Sequence, residues 1–221
     1  MDAGTVGDVT TEAVIPVSDE DAIRADIAGE PRLGGVVFAH GSGSSRHSPR
    51  NRHVAEVLQD AGLQTVLLDL LTESEEQRDV QTGEHRFDID LLTGRVLAAI
   101  SWLRDNGFDD PIGLFGASTG AAAALRAAAA DPDSIGAVVS RGGRPDMAGN
   151  ALGDVKAPTL LIVGGKDELV LELNRRALAA LNDESSLEVV KGAGHLFEEP
   201  GTLDRVAELA STWFRDRLAT G

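Results

Sequence analysis

Short apolar runs rich in Val, Ile and Leu recur along the chain at Gly35–Ala39, Thr65–Leu70, Pro111–Phe115, Ile135–Ser140, Thr159–Val163 and Leu187–Val190. Their length and branched side chains mark strands, and the lack of polar alternation marks strands buried on both faces. Between them, Asn51–Ala61, Asp88–Asn106, Thr119–Ala130, Val170–Leu181 and Leu203–Leu218 carry apolar residues at helical spacing. Strand and helix alternate, which predicts a mostly parallel, doubly wound sheet with helices on both faces. Ahead of this pattern, Val9–Val17 and Ala22–Ala28 flank Ser18-Asp19-Glu20-Asp21, the layout of an antiparallel hairpin with a polar turn and with Pro16 suited to its edge.

Helix punctuation agrees with these boundaries. Ser48-Pro49 reads as a cap followed by a first-turn proline, Asp88 as an N-cap, and Asn106-Gly107 and Asp131-Pro132 as stops. Neither a linker nor an internal repeat interrupts the alternation. Thr72–Phe87 is highly charged and lacks a period, so it is expected to be a solvated loop rather than a flap over a site. Only 17 residues separate Ser140 from Pro158, too few for a substantial lid.

A length of 221 residues suits a single domain over 1–221 with a core large enough to need no disulfide or metal. There is no cysteine, which excludes thiolate zinc sites and a cysteine nucleophile. The net charge of −16 disfavours nucleic acid as a partner. No run approaches a membrane span, and Met1–Asp8 lacks the basic and apolar regions of a secretory signal, so a cytoplasmic protein is expected. Lysine occurs only at Lys156, Lys166 and Lys191, and this acidic, Ala- and Gly-rich composition suits either a halophilic source or a GC-rich genome.

Directly after the run Pro111–Phe115 stands Gly116-Ala117-Ser118-Thr119-Gly120, followed by an alanine-rich helix. This G-x-S-x-G in strand–turn–helix context lifts a serine hydroxyl clear of the backbone at a helix N-terminus, where negative charge is favoured. Such a serine needs a histidine base and an acid that orients it. His195, in Gly192-Ala193-Gly194-His195, follows the last predicted strand, and Asp167, in Gly164-Gly165-Lys166-Asp167, follows the strand before it, with Glu168 as the reserve acid. The chain order Ser118, Asp167, His195 is the one this motif requires, and all three fall at the carboxyl ends of strands.

The loop His40-Gly41-Ser42-Gly43 follows the first parallel strand, and Ser42 and Thr119 are the expected backbone donors to an oxyanion. His40 is expected to brace the loop by hydrogen bonding. The same loop carries Arg46, Arg50 and Arg52, with His47 and His53, and a second basic group, Arg141 and Arg144, follows the strand after the nucleophile helix. Arg46, Arg141 and Arg144 are candidates to bind an anionic acyl substrate; the competing reading pairs them with local acids such as Asp146 or Glu56. The loop lacks the lysine-bearing Walker pattern of phosphate-binding enzymes.

From about Val14 to Leu218 these motifs resemble the dienelactone-hydrolase-like branch of the α/β-hydrolases. The resemblance implies an eight-stranded sheet of α/β-hydrolase type, with the N-terminal hairpin and little or no lid, and hydrolysis of small soluble esters, lactones or thioesters without metal or organic cofactor. True dienelactone hydrolases carry cysteine where Ser118 stands, which argues against dienelactone itself as substrate. The arginine-rich loop is similar to that of a subgroup sometimes joined to a phosphoribosyltransferase domain. A carboxylic ester hydrolase working through an acyl-enzyme on Ser118 is therefore expected, with a small-molecule ester as its partner and neither nucleic acid nor membrane. Acyl transfer or perhydrolysis by the same residues, and a non-catalytic binding protein of this fold, are the alternatives. Nothing in the pattern fixes an oligomeric state.

Overall fold

The computed structural model describes residues 10–219. Val9 and the leader reading of Met1–Asp8 lie outside the described residues. In chain order the elements are β1 (Thr11–Pro16), β2 (Ala22–Ala28), β3 (Gly35–Ala39), α1 (Pro49–Asp60), β4 (Gln64–Leu68), α2 (Glu73–Thr82), α3 (Ile89–Asp105) and β5 (Ile112–Ala117). Then follow α4 (Thr119–Ala130), β6 (Ile135–Arg141), 3₁₀ turns over Pro145–Asp154, β7 (Thr159–Gly164), α5 (Glu168–Leu178), β8 (Ser186–Val190) and α6 (Thr202–Leu218).

The strands form one eight-stranded sheet in the order β1-β2-β4-β3-β5-β6-β7-β8. β1 pairs antiparallel with β2 and β2 antiparallel with β4, while every pairing from β4 to β8 is parallel. Pro16 sits on the outermost strand, where its missing N–H breaks no ladder. Successive side chains of a strand point to opposite faces. Val36 and Phe38 accordingly join α1 and α6, through Val54, Leu58, Val206 and Phe214, in one apolar layer. Val37 and Ala39 join α3 and α4, through Val96, Ile100, Ala123 and Ala127, in the other. The chain leaves β3 in one direction and returns to β5 on its other side. The carboxyl ends of β3 and β5 thus form the switch point where open α/β sheets bind ligands.

Two expectations change. Thr72–Phe87 is not a bare loop but contains α2, which starts with a reciprocal capping box between Thr72 and Glu75 and stops at left-handed Gly83. Asp79 is its buried residue, so no apolar stripe revealed it. Ion pairs from Arg95 to Glu75 at 2.6 Å and from Arg86 to Asp79 at 2.8 Å dock it instead. β8 is not buried on both faces: as the outermost strand it has one neighbour, and Glu188 and Val189 are exposed. The stretch between β6 and β7 is short, as expected, and forms the 3₁₀ turns packed on α4 and α5. Among the described residues no helix is long and apolar enough to cross a membrane.

Candidate active site

β5 ends in a turn that only small residues can make. A Cβ on Gly116 would lie 2.3 Å from Ala121 Cα, and one on Gly120 would lie 2.3 Å from the Ala39 carbonyl oxygen. With both positions bare, α4 starts directly on the strand end and Ser118 takes φ 50°, a left-handed conformation for a non-glycine residue. Such strain costs about 1–3 kcal/mol and persists only where neighbours impose it. Here Ser118 N–H donates to the Arg141 carbonyl at 3.2 Å, while Arg144 N–H and Ala121 N–H donate to the Ser118 carbonyl at 3.0 and 3.2 Å.

β7 and β8 end beside each other, and so do the loops that follow them. His195 Nδ1 hydrogen-bonds Asp167 Oδ2 at 2.6 Å, which leaves Nε2 as the outward nitrogen. Asp167 is the N-cap residue of α5 but makes no side-chain cap, so its carboxylate is free for the imidazole. Two residues that sequence reasoning missed hold this pair of loops together. The Glu199 carboxylate accepts Gly194 N–H at 3.0 and 3.1 Å and meets Lys166 Nζ at 3.2 Å. Gly194 N–H, with Lys166 behind it, holds the Glu199 carboxyl below its usual pKa. Phe197, at φ 55° and almost wholly buried, pins the far side of the histidine loop into the core. Only the spacing Lys166…Glu199 around the two motifs could have signalled this, and such spacing is common in loops.

Ser118 and His195 face one cavity of about 230 Å³ without a hydrogen bond between them; Ser42, Arg50, Asn51 and Arg141 also line it. Catalytic hydrogen bonds often tighten only around substrate. A smaller cavity of about 90 Å³ shares Ser42 as a wall and is lined as well by Thr119, Leu70, Leu71, Leu92 and, from α2, Val80.

The two expected oxyanion donors are not equivalent. Thr119 opens α4, so its N–H has no acceptor within the helix. Ser42 N–H is already engaged, donating to Thr119 Oγ1 at 2.9 Å, and reaches an oxyanion only if that hydroxyl turns away. His40 is a brace: Nδ1 meets the Gly41 carbonyl at 2.8 Å, and Nε2 accepts Leu70 N–H at 3.2 Å. Burial lowers its pKa, against the pull of the Gly41 carbonyl and Asp69, and this suits a neutral ring with one donor and one acceptor.

The three candidate arginines separate. Arg46 does not line the reaction cavity; it is locked between Asp69, Asp26 and Glu12, drawn from three strand regions, and its side chain is 13% exposed. Arg144 forms a two-bond fork with Asp146 at 2.7 and 2.8 Å, the local pairing already weighed against substrate binding. Arg141 lines the cavity, 8% exposed, with Asn51 Oδ1 at 3.2 Å from Nη2 and, among the described residues, no hydrogen-bond partner on Nε or Nη1. Arg50, present in the loop but not among the three candidates, lines the same cavity.

The model of the alpha/beta hydrolase domain matches residues 33–212, which spans the sheet from before β3 to α6. The chain belongs to this family. A protein of known structure, the dienelactone hydrolase from Anabaena variabilis ATCC 29413, is 51% identical, with a TM-score of 0.91 over 95% of this chain and 98% of that one. Est1E from Butyrivibrio proteoclasticus shares the fold at 17% identity and a TM-score of 0.78, covering 95% of this chain and 99% of that one. Two Mycobacterium tuberculosis proteins (strains CDC 1551 and H37Rv), both named "Putative phosphoribosyl transferase", are 53% identical over 98% of this chain. The alignment takes in 51% of their length, so this chain spans about half of the curated relatives it matches.

Proposed function

We propose that this alpha/beta hydrolase domain is a serine hydrolase of carboxylic esters, thioesters or lactones that works through an acyl-enzyme on Ser118. The observation that carries the reading is the 2.6 Å bond between Asp167 and His195, whose imidazole shares a cavity with a serine on a strained elbow. Ser118 Oγ attacks the substrate carbonyl carbon and passes its proton to His195 Nε2; Asp167 steadies the imidazolium. Thr119 N–H, joined by Ser42 N–H once freed, stabilises the oxyanion. Collapse of the tetrahedral adduct breaks the acyl–oxygen bond, and His195 returns the proton to the leaving alcohol. Water then repeats the sequence on the acyl-enzyme, yielding the acid and restoring Ser118.

The name of the mycobacterial relatives describes chains about twice as long. Acyl chemistry, not phosphoribosyl transfer, is what a serine, histidine and aspartate in this arrangement supply. A fluorophosphonate probe should label the folded protein at Ser118, and a panel of aryl esters should be cleaved by the wild type but not by Ser118→Ala. Absence of labelling and of Ser118-dependent cleavage would leave a non-catalytic binding protein. Esters of an added alcohol, or peracid from added peroxide, among the products would indicate acyl transfer in place of hydrolysis.

A further inference from the structure

The protein carries a net charge of −16, and around the carboxyl end of the sheet its arginines hold carboxylates: Arg46 with Asp69, Asp26 and Glu12, Arg52 with Asp26, Arg144 with Asp146. Arg141 departs from this rule. It is 8% exposed, its hydrogen bond goes to the neutral amide of Asn51, and Nε and Nη1 are buried without partners among the described residues. A buried guanidinium normally meets a counter-charge, because desolvation is otherwise unrepaid. Here the nearby charge is of the same sign. Burial, with Arg50 adding to it, pushes Arg141 down to about 10, which still leaves it charged at neutral pH. Arg50 likewise has a buried Nε with no partner among the described residues, and its Nη1 stands 3.7 Å from Glu198, a side chain 70% exposed.

Both arginines line the cavity that holds Ser118 and His195. The N-terminus of α1, capped by Ser48, borders the same space and adds partial positive charge. We propose that Arg141 and Arg50 form an anion subsite in this cavity, so that the preferred substrate is a small ester bearing a carboxylate or phosphate a few bonds from its reactive carbonyl. The proposal rests on the reading of Ser118 as nucleophile. A neutral carbonyl would satisfy the free N–H groups but not the charge; a carboxylate or phosphate does both and accepts the guanidinium fork. The cavity of about 230 Å³ is small, which favours a compact ligand. That suits a short dicarboxylate monoester or a small phosphorylated acyl compound.

The test compares p-nitrophenyl butyrate with mono-p-nitrophenyl glutarate, similar in length and differing in charge. The wild type should favour the glutarate. In Arg141→Met the glutarate-to-butyrate ratio of kcat/KM should fall by about thirtyfold, mainly through KM, as expected when one partner of a charged pair is removed. Arg50→Gln should lower the same ratio less, and serves if Arg141→Met does not fold by circular dichroism. An unmoved ratio in the folded variants overturns the subsite even if hydrolysis depends on Ser118. Calorimetry on Ser118→Ala, titrated with glutarate and separately with inorganic phosphate, reads the subsite without catalysis. Binding abolished by a second change, Arg141→Met or Arg50→Gln, supports the subsite, and the tighter probe tells carboxylate from phosphate. Such binding in a protein that cleaves no ester would overturn the nucleophile and leave the subsite standing; no binding of either probe, with the ratio unmoved, overturns the subsite alone.

Discussion

Arg46 and Arg141 belong to two arginine groups that look alike in the sequence and end in opposite surroundings. Arg46 lies among three carboxylates, two of them on side chains 13% and 16% exposed, and ties the loop after β3 to β1, β2 and the end of β4. Arg141 lies among neutral and cationic neighbours, faces the cavity of Ser118, and keeps N–H groups unmet. The difference teaches that an arginine near a reaction centre is informative only when its charge is left over. Matched charge builds the loop, whereas unmatched charge is available to a ligand.

The largest expected effect separates chemistry from either group. Ser118→Ala should cut kcat for any aryl ester by about 10⁶ and Asp167→Asn by about 10⁴, with circular dichroism unchanged. Retained activity in Ser118→Ala would leave Arg141 facing a cavity where nothing reacts. Next, the same substitution should destabilise at one arginine and not at the other. Arg46→Met strands Asp26 and Asp69 in part-buried positions and should cost about 3 kcal/mol, lowering Tm by about 6–12 °C. Arg141→Met removes an uncompensated buried charge and should leave Tm equal or raise it by a few degrees. Parallel losses in both would erase the distinction.

A smaller effect probes α2, which like Arg46 is held by polar contacts. Thr72→Ala removes one half of its capping box and should cost about 1 kcal/mol in chemical denaturation. The smallest concerns His40, where the loop carrying Arg46 and Arg50 begins. Its folded pKa lies below the unfolded value of 6.5, so as pH falls through 6.5 the unfolded chain takes up a proton that the folded chain refuses. Stability should therefore decline as pH falls through 6.5 toward the folded pKa, and level off below it. In His40→Gln that part of the pH–stability curve should flatten; an unchanged slope would show that His40 is not buried neutral.

Most of the sheet was legible because buried parallel strands announce themselves as apolar runs, and β3, β5 and β7 lie within two residues of their predicted ends. The glycines of the elbow were legible from their motif, although the steric reason is local only at Gly116, which faces Ala121, while Gly120 faces the end of β3. α2 was missed because its burial falls on Asp79 rather than on an apolar stripe, although Thr72-x-x-Glu75 carried its cap in plain view. The engagement of Ser42 N–H by Thr119 Oγ1 joins residues 77 positions apart, and no local pattern encodes it.

The sequence by itself determined the alternation of strand and helix, the bare glycines around Ser118 and the placement of Asp167 and His195 after consecutive strands. These depend on local periodicity, steric limits and chain order. Only the tertiary structure decided which arginine keeps an unspent charge. Arg46 finds Glu12, Asp26 and Asp69 because hairpin and sheet bring them together, while β6 delivers Arg141 into a cavity whose walls, among the described residues, offer it no carboxylate. Charge compensation is settled by neighbours in space, and those neighbours come from distant parts of the chain.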